Sequence, residues 1–488
     1  MSKRPSRTSG SSCSVSWEYF GRNSRSEVQR TSTFGSAGGG AMKHTANSRN
    51  RSNLGTFFII WFGQVASTLG TWLTRFALGV WVYQETGSVT QFALITFVTS
   101  LPAVLCAPVA GVLVDRWNRR TAMIVADGAA AVCTLALAIL FGTGRIEIWH
   151  IYVALALSNG FSSLQWPAYS AAVGALVPKE HYGRASGFVQ IGEALAQIVA
   201  PAAGAGLLVS LGIFAVMLTD LATALIAVGT LIVARIPGPA PDRESGGEKR
   251  SFREDAVYGW KFIRERGGLL GLLGIVSTLN FAFVMVQILI IPYVLTFADA
   301  AALGAVTSFA FAGAMVGTLA MSAWGGPKRK LDGIIAGLLV LGAAVVVAAV
   351  RPSLILVAVC GFLAFSFQQI INGCSQAVWL AKTPQAVQGR VFAIRRMIAW
   401  ATLPLTSLLA GPLSDRVFEP LLAPGGALSS SVGLLIGVGP GRGTALLIMV
   451  LGIVSAGCGV AALMIPAIRR VEERLPDADA ARAGEPAA

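Results

Sequence analysis

The sequence predicts an all-α integral membrane protein: twelve transmembrane helices in two pseudo-symmetric six-helix bundles. Three observations lead there. Apolar runs of about 20 residues, enough to cross a bilayer core roughly 30 Å thick, recur along the chain. The composition is 54% hydrophobic and 13% charged, with 55 glycines, which suits close helix packing in lipid. Short motifs of the first half also return in the second. Backbone amides in lipid must be satisfied internally, so helices are the default spanning element.

Residues 1–53 are rich in Ser, Arg and Gly and are expected to be a disordered cytoplasmic tail. They contain no apolar stretch followed by a cleavage site, so they do not read as a signal peptide. Met42 opens a short basic lead-in, and we expect it to be the natural start. N-terminal sequencing that finds earlier residues would refute that.

The spans are expected near 55–82, 89–113, 121–142, 149–176, 185–210 and 213–234, then 267–296, 301–325, 333–350, 353–381, 389–411 and 443–466. They give an N-terminal bundle over 54–234 and a C-terminal bundle over 267–467. The connection, 235–266, begins with Pro237-Gly-Pro-Ala-Pro241. Its Phe252, Ala256, Val257, Trp260 and Ile263 recur at helical spacing, predicting a short amphipathic helix on the cytoplasmic face that tethers the two halves. Residues 468–488 form a second cytoplasmic tail.

The formal charge of +14 would suggest nucleic acid in a soluble protein, but no soluble module carries it here. It reads instead as topology. Of 38 Lys and Arg, Arg145, Arg351, Arg416 and Arg442 fall on the outer side and Arg75 within span one, leaving 33 on the inner side. Both termini are therefore expected in the cytoplasm. The six cysteines show no paired spacing, so neither disulfides nor a metal site is expected. No Walker A string, metal-ligand motif or nucleophile motif with supporting context appears. Neither an enzyme nor a cofactor is expected. The lipid bilayer is the one partner that composition implies, and a monomer is expected.

Gly111-Val-Leu-Val-Asp115-Arg116-Trp117-Asn118-Arg119-Arg120 closes span two and opens span three. Gly111 lets helix ends approach, and Asp115 can attract a neighbouring helix N-terminus. This string resembles the loop between helices 2 and 3 of the major facilitator superfamily of secondary transporters, with Asn118 where that pattern has Gly. Pro178-Lys-Glu-His-Tyr-Gly183-Arg184 after span four matches Pro384-Gln-Ala-Val-Gln-Gly389-Arg390 after span ten. Asn118-Arg119-Arg120 has a weaker echo in Lys328-Arg329-Lys330. Two matching halves suit alternating access around a shared site. A cytoplasmic latch is expected from Gly111, Asp115, Arg116, Arg119 and Arg120 against Gly389 and Arg390.

Gly192-x-x-x-Ala196-x-x-x-Ala200-Pro201-x-x-Gly204 makes a smooth face, and Pro201 removes one helix hydrogen bond. The spacing resembles the fifth-helix motif of drug/proton antiporters, carried here by Gly192, Pro201 and Gly204. Leu73-Thr-Arg-Phe-Ala-Leu-Gly-Val-Trp-Val-Tyr-Gln-Glu-Thr-Gly-Ser88 and the Asp115–Arg120 variant look like the branch containing macrolide and enterobactin exporters. The resemblance implies proton-driven export of a drug, siderophore or secondary metabolite from a bacterial cytoplasm across the inner membrane, with that small molecule and protons as partners. Uptake symport, or a non-transporting sensor or assembly partner of the same fold, are the alternatives.

Within the spans, a carboxylate is costly unless paired, protonated or facing water. Glu193 is the proton-coupling candidate, against a structural ion pair or hydrogen bond. Arg75 and Asp220 are expected to form a buried ion pair, with substrate recognition as the second role of Arg75. Asp127 is expected to join the Asp115 network. Gln64, Gln190, Gln369, Asn372 and Gln376 are the cavity candidates, against interhelical hydrogen bonding; Asn159, Gln165, Asn280, Gln287 and Gln368 are further amides in the spans. Arg395 and Arg396 are expected to snorkel, or Arg396 to face Asp115. Two strings are set aside. Gly411-Pro-Leu-Ser-Asp415-Arg416 copies the latch motif at the outer end of span eleven and reads as an external cap or turn. Gly437-Val-Gly-Pro-Gly-Arg-Gly443 lacks a phosphate loop's ending and any preceding strand.

Overall fold

The computed structural model describes residues 46–178, 181–234 and 252–474. Residues 1–45 and 475–488 of the two expected tails and the proline-rich start of the connection lie outside them. Residues 46–53, expected to be disordered, instead open the first helix, and residues 468–474 are mainly helical. The described residues from Ser52 onward belong to one compact unit, and their regular secondary structure is helical, without strands.

Helices α1 (Ala46–Thr86), α2 (Val89–Arg116) and α3 (Arg119–Gly142) meet at tight turns. Gly87, at φ 62°, turns the chain into α2, whose N-cap Ser88 accepts from the amide of Gln91. Asn118 caps α3 in the same way through Arg120. The fourth span is broken into α4 (Ile148–Ser162) and α5 (Gln165–Leu176), where one continuous helix was expected. Pro167 is the cause: it has no amide to offer Ser163, and its ring crowds that carbonyl, so it fits the first turn of a new helix.

Spans five and six are one helical stretch, α6 (Tyr182–Val233), interrupted at Gly212 with φ 78° and ψ 173°. Contacts with α1 show that the stretch folds back there. A methyl on Gly192 would strike Val65, while one on Gly63 would strike Thr230; further along, Gly204 abuts Leu73 and Gly70 abuts Asp220. Both arms of α6 therefore lie along α1.

After α7 (Phe252–Arg264) come α8 (Gly267–Leu295), α9 (Ala300–Trp324), α10 (Lys330–Val350), α11 (Leu354–Lys382) and α12 (Gln385–Pro412). Span eleven does not end at residue 411 as expected. Pro412 is followed by a π-helical turn, Leu413–Phe418, and a short turn to Leu421. The last span is α13 (Arg442–Met464). Ten described helices are long and apolar enough to cross a membrane. Because α6 folds back at Gly212, and α4 with α5 makes one more crossing, the total is twelve.

Equivalent helices pair in equivalent ways. Just as α2 packs on α4 and α3 on α6, α9 packs on α11 and α10 on α13. Glycines allow these approaches: methyls on Gly313 and Gly317 would strike backbone of Phe362 and Ser366, and one on Gly342 would strike Gly452 and Ala456. The pairs α2–α12 and α6–α9 join one set of six spans to the other.

The buried clusters divide unevenly. Near the α2–α3 turn, Phe57, Ile60, Val114, Met123, Leu176 and Leu231 pack with first-half residues alone. Near the α1–α2 turn, Val80, Val89, Phe92 and Ala93 join the main cluster of the second half. The two halves thus share core at one face and keep separate cores at the other.

Candidate functional site

A cavity of about 530 Å³ lies between the halves. Trp72, Phe76, Phe92, Phe283, Phe311 and Phe365 supply much of its wall, and Arg75 is the one charged residue among the lining residues described. The rings of Trp72 and Phe311 meet edge to face across the halves, 6.4 Å between centroids. The size and apolar lining are those of a small-molecule site.

Arg75 and Asp220 are not the ion pair expected. Asp220 Oδ2 accepts from Thr74 Oγ1 and Thr134 Oγ1, each at 3.0 Å. Arg75 Nη2 donates to Asn159 Oδ1, and no ion-pair contact joins Arg75 to Asp220. Successive helical residues point about 100° apart. Thr74 therefore turns into the bundle while Arg75 turns to the cavity. A second, water-sized cavity of about 30 Å³ touches both Arg75 and Asp220.

Glu193 is exposed. Its Oε1 accepts from Trp72 Nε1 at 3.2 Å and from Gln197 Nε2 at 3.1 Å. It is thus tied to a residue of the cavity wall. Asp127 forms a separate buried node: Gln64 donates to Oδ2 at 2.9 Å, and Ser67 and Gln165 to Oδ1 at 3.3 and 2.7 Å. Gln165 also reaches Gln64 Oε1 at 2.7 Å. In a low-dielectric bundle an amide satisfies a neighbouring polar group before it faces a cavity. That is why Gln64 leaves the cavity set. Gln369 accepts from Asn372 at 3.4 Å, Gln376 accepts from Arg395 at 2.7 Å, and Gln190 is exposed on α6. None of these five lines the cavity, whereas Asn159 and Gln287 do.

The side chains of Gly111, Asp115 and Arg116 lie outside the described residues, so the expected latch is described only in part. Arg120 donates to the carbonyl of Ile232 at the end of α6, a cation at a helix C-terminus within its own half. Arg390 sits 5.3 Å from the centroid of Tyr258 on α7, and Gly389 is exposed. The helix α7 packs on α12, with Gly259 against the Arg390 carbonyl. Phe262 and Ile263 are buried there while Val257 and Trp260 point outward. Arg395 also stays in its half, donating to Gln376 and Ser375.

The motif set aside joins the two halves. Asp415 Oδ2 accepts from Ser88 Oγ at 2.9 Å, Thr90 N at 2.8 Å and Thr90 Oγ1 at 2.7 Å, and Oδ1 accepts from Val89 N at 3.2 Å. A carboxylate from span eleven therefore caps the N-terminus of α2, the favourable end for negative charge. A methyl on Gly411 would strike the Thr90 backbone. The other seam is built from the fifth-span motif: a methyl on Gly304 would strike the Pro201 carbonyl and Ala205, while the amide of Ala202 donates to Ser308 Oγ at 3.0 Å. The two motif glycines, Gly192 and Gly204, face α1.

Residues 60–403 match the sequence model of the Major Facilitator Superfamily. The chain belongs to that superfamily. Its members are transporters rather than enzymes, and the chain is accordingly a multi-pass membrane protein. Similar curated proteins include macrolide efflux protein A of Streptococcus pyogenes, 25% identical over 366 residues, 74% of this chain and 90% of that protein. The multidrug efflux pump Tap of Mycobacterium tuberculosis is 28% identical over 382 residues, 75% and 88% of the two chains. Among solved structures, a bacterial homologue of the lysosomal transporter Spinster, described as inward-facing and unoccupied, aligns with a TM-score of 0.61 at 15% identity. It covers 88% of this chain and 97% of its own. A nucleoside transporter aligns at 0.63 and 12%, covering 84% and 99%. These last two likenesses concern the fold.

Proposed function

We propose that this superfamily member exports a small amphipathic organic molecule by proton antiport, rocking its two halves about the central cavity. The observation that carries the reading is the uneven closure: shared core and the Asp415 cap at the α1–α2 face, separate cores at the α2–α3 face, and an apolar cavity between. Resemblance to a macrolide exporter and a multidrug pump supports efflux over uptake. The basic-residue bias supports a bacterial inner membrane, with both termini and the α2–α3 face in the cytoplasm. In that orientation the cavity is loaded from inside and emptied when the α2–α12 seam parts.

Glu193 is the proton carrier in this reading, because it is exposed and hydrogen-bonded to the cavity residue Trp72. Asp127 and Asp220 are buried among neutral donors. The test is flux from reconstituted vesicles under an imposed pH gradient, with fluorescent amphipathic probes that carry anionic, neutral and cationic head groups. Gradient-driven movement is expected, and Glu193→Gln should uncouple it from the gradient while binding persists. A variant that still follows the gradient would move coupling to another group. Binding without any flux would favour the sensor reading, and accumulation with the proton would favour uptake.

A further inference from the structure

The cavity's wall is aromatic, but its one charge is positive. Arg75 Nη2 is held by Asn159, while its buried Nε has no hydrogen-bond partner. The nearby carboxylates are engaged elsewhere, Asp220 by Thr74 and Thr134 and Glu193 by Trp72 and Gln197. Three of the four hydroxyls in the wall are also spent. Thr99, Ser100 and Thr307 each donate to a carbonyl of their own helix, at 3.0, 3.2 and 2.8 Å. The donors left to a ligand are therefore Arg75, the amide of Gln287 and the hydroxyl of Thr96, of which Arg75 alone is charged.

We propose that the cavity selects molecules with an apolar body and an anionic oxygen head, and that Arg75 is the residue that reads the head. This rests on the transport reading above and names the substrate class of the same site. A guanidinium offers planar paired donors to a carboxylate, sulfonate or phosphate. Away from bulk water that contact strengthens, and so does the repulsion of a cation. The ring faces that would otherwise attract an ammonium group surround a cation already in place, since Arg75 lies 5.9 Å from the Trp72 centroid. An anion supplies what the wall lacks, and the aromatic rings hold its body.

The experiment compares three probes with one body: 1-pyrenebutyrate, its primary amide and 1-pyrenebutylamine. Each is titrated against the purified full-length chain in lipid nanodiscs, read by pyrene fluorescence. The acid should bind about tenfold or more tighter than the amine, the size of effect expected from one charge-assisted contact. Arg75→Gln should bring the acid down to the amide and leave the amide unchanged, while Arg75→Lys should keep the acid ahead of the amine. An amine that binds as tightly as the acid, a ratio unmoved by Arg75→Gln, or no binding by any of the three would overturn the assignment. If Arg75→Gln proves polydisperse, the wild-type ranking and Arg75→Lys decide alone. Failure of export shows separately: the acid then binds as expected but no flux appears in vesicles.

Discussion

Helices α2 and α9 hold equivalent places in the two halves, and each begins beside a seam, but they are capped differently. Asp299 caps α9 from its own chain position, accepting from the amide of Ala302 at 2.8 Å. At α2, Ser88 accepts from Gln91 and Asp415 is borrowed from the other half. A local cap survives any movement of the halves. A borrowed cap exists only while the seam is shut, so the free energy of capping becomes part of the free energy of closure.

The comparison can be broken most severely at Gly411. Gly411→Val puts a branched side chain against the Thr90 backbone; overpacking of this kind costs about 1–3 kcal/mol. Vesicle efflux should fall tenfold or more (about 1.4 kcal/mol or above), with insertion intact by protease protection. Normal efflux would mean that the seam need not close tightly.

Next comes Asp415→Asn, which removes a charged acceptor contributing roughly 1.5–3 kcal/mol per bond network. Spin-label distances across the α1–α2 face should shift towards the open population, and efflux should drop several-fold. The matched change, Asp299→Asn, should lower thermal stability by about 1 kcal/mol or less and leave that distance distribution alone. Equal effects from the two would erase the distinction between local and borrowed caps.

Asp115→Asn sharpens it from the other end of α2. The family resemblance places a latch there, and transport by the variant should fall while insertion is kept. If Asp115→Asn is fully active and Asp415→Asn is not, only the α1–α2 face has a carboxylate latch. The smallest effect is expected at the exposed Arg329–Glu473 pair, 3.2 Å apart. Glu473→Ala should change stability by less than about 1 kcal/mol and flux not at all.

The helical architecture was legible because span length and apolarity are set by lipid, and that demand is written residue by residue. Interruptions were harder. Pro167 splits span four, yet a lone proline inside an apolar run marks a kink and a new helix start alike. Within the site, sequence reasoning found Arg75, Asp220 and Glu193 as charges needing explanation, but it could not choose their partners. Whether Thr74 or Arg75 faces Asp220 depends on helix rotation, which a short apolar run with polar residues on several faces does not fix. The amides Gln64 and Gln376 looked like cavity groups because their partners, Asp127 and Arg395, are distant in sequence or were assigned elsewhere. Asp415 was visible as a repeat of the Asp115 motif. Its significance lay in Ser88–Thr90, more than 320 residues away, and no local pattern points there.

The reversal at Gly212 leaves no slack. Spans five and six are joined by a single residue in a backbone conformation that disfavours any side chain, and both lie along α1. When the α6–α9 seam slides, span six must be carried with it, taking Thr134's partner Asp220 and the floor of the water-sized cavity along. The first half should therefore swing as one stiff lever. A few flexible residues inserted after Gly212 would uncouple its arms without touching either seam.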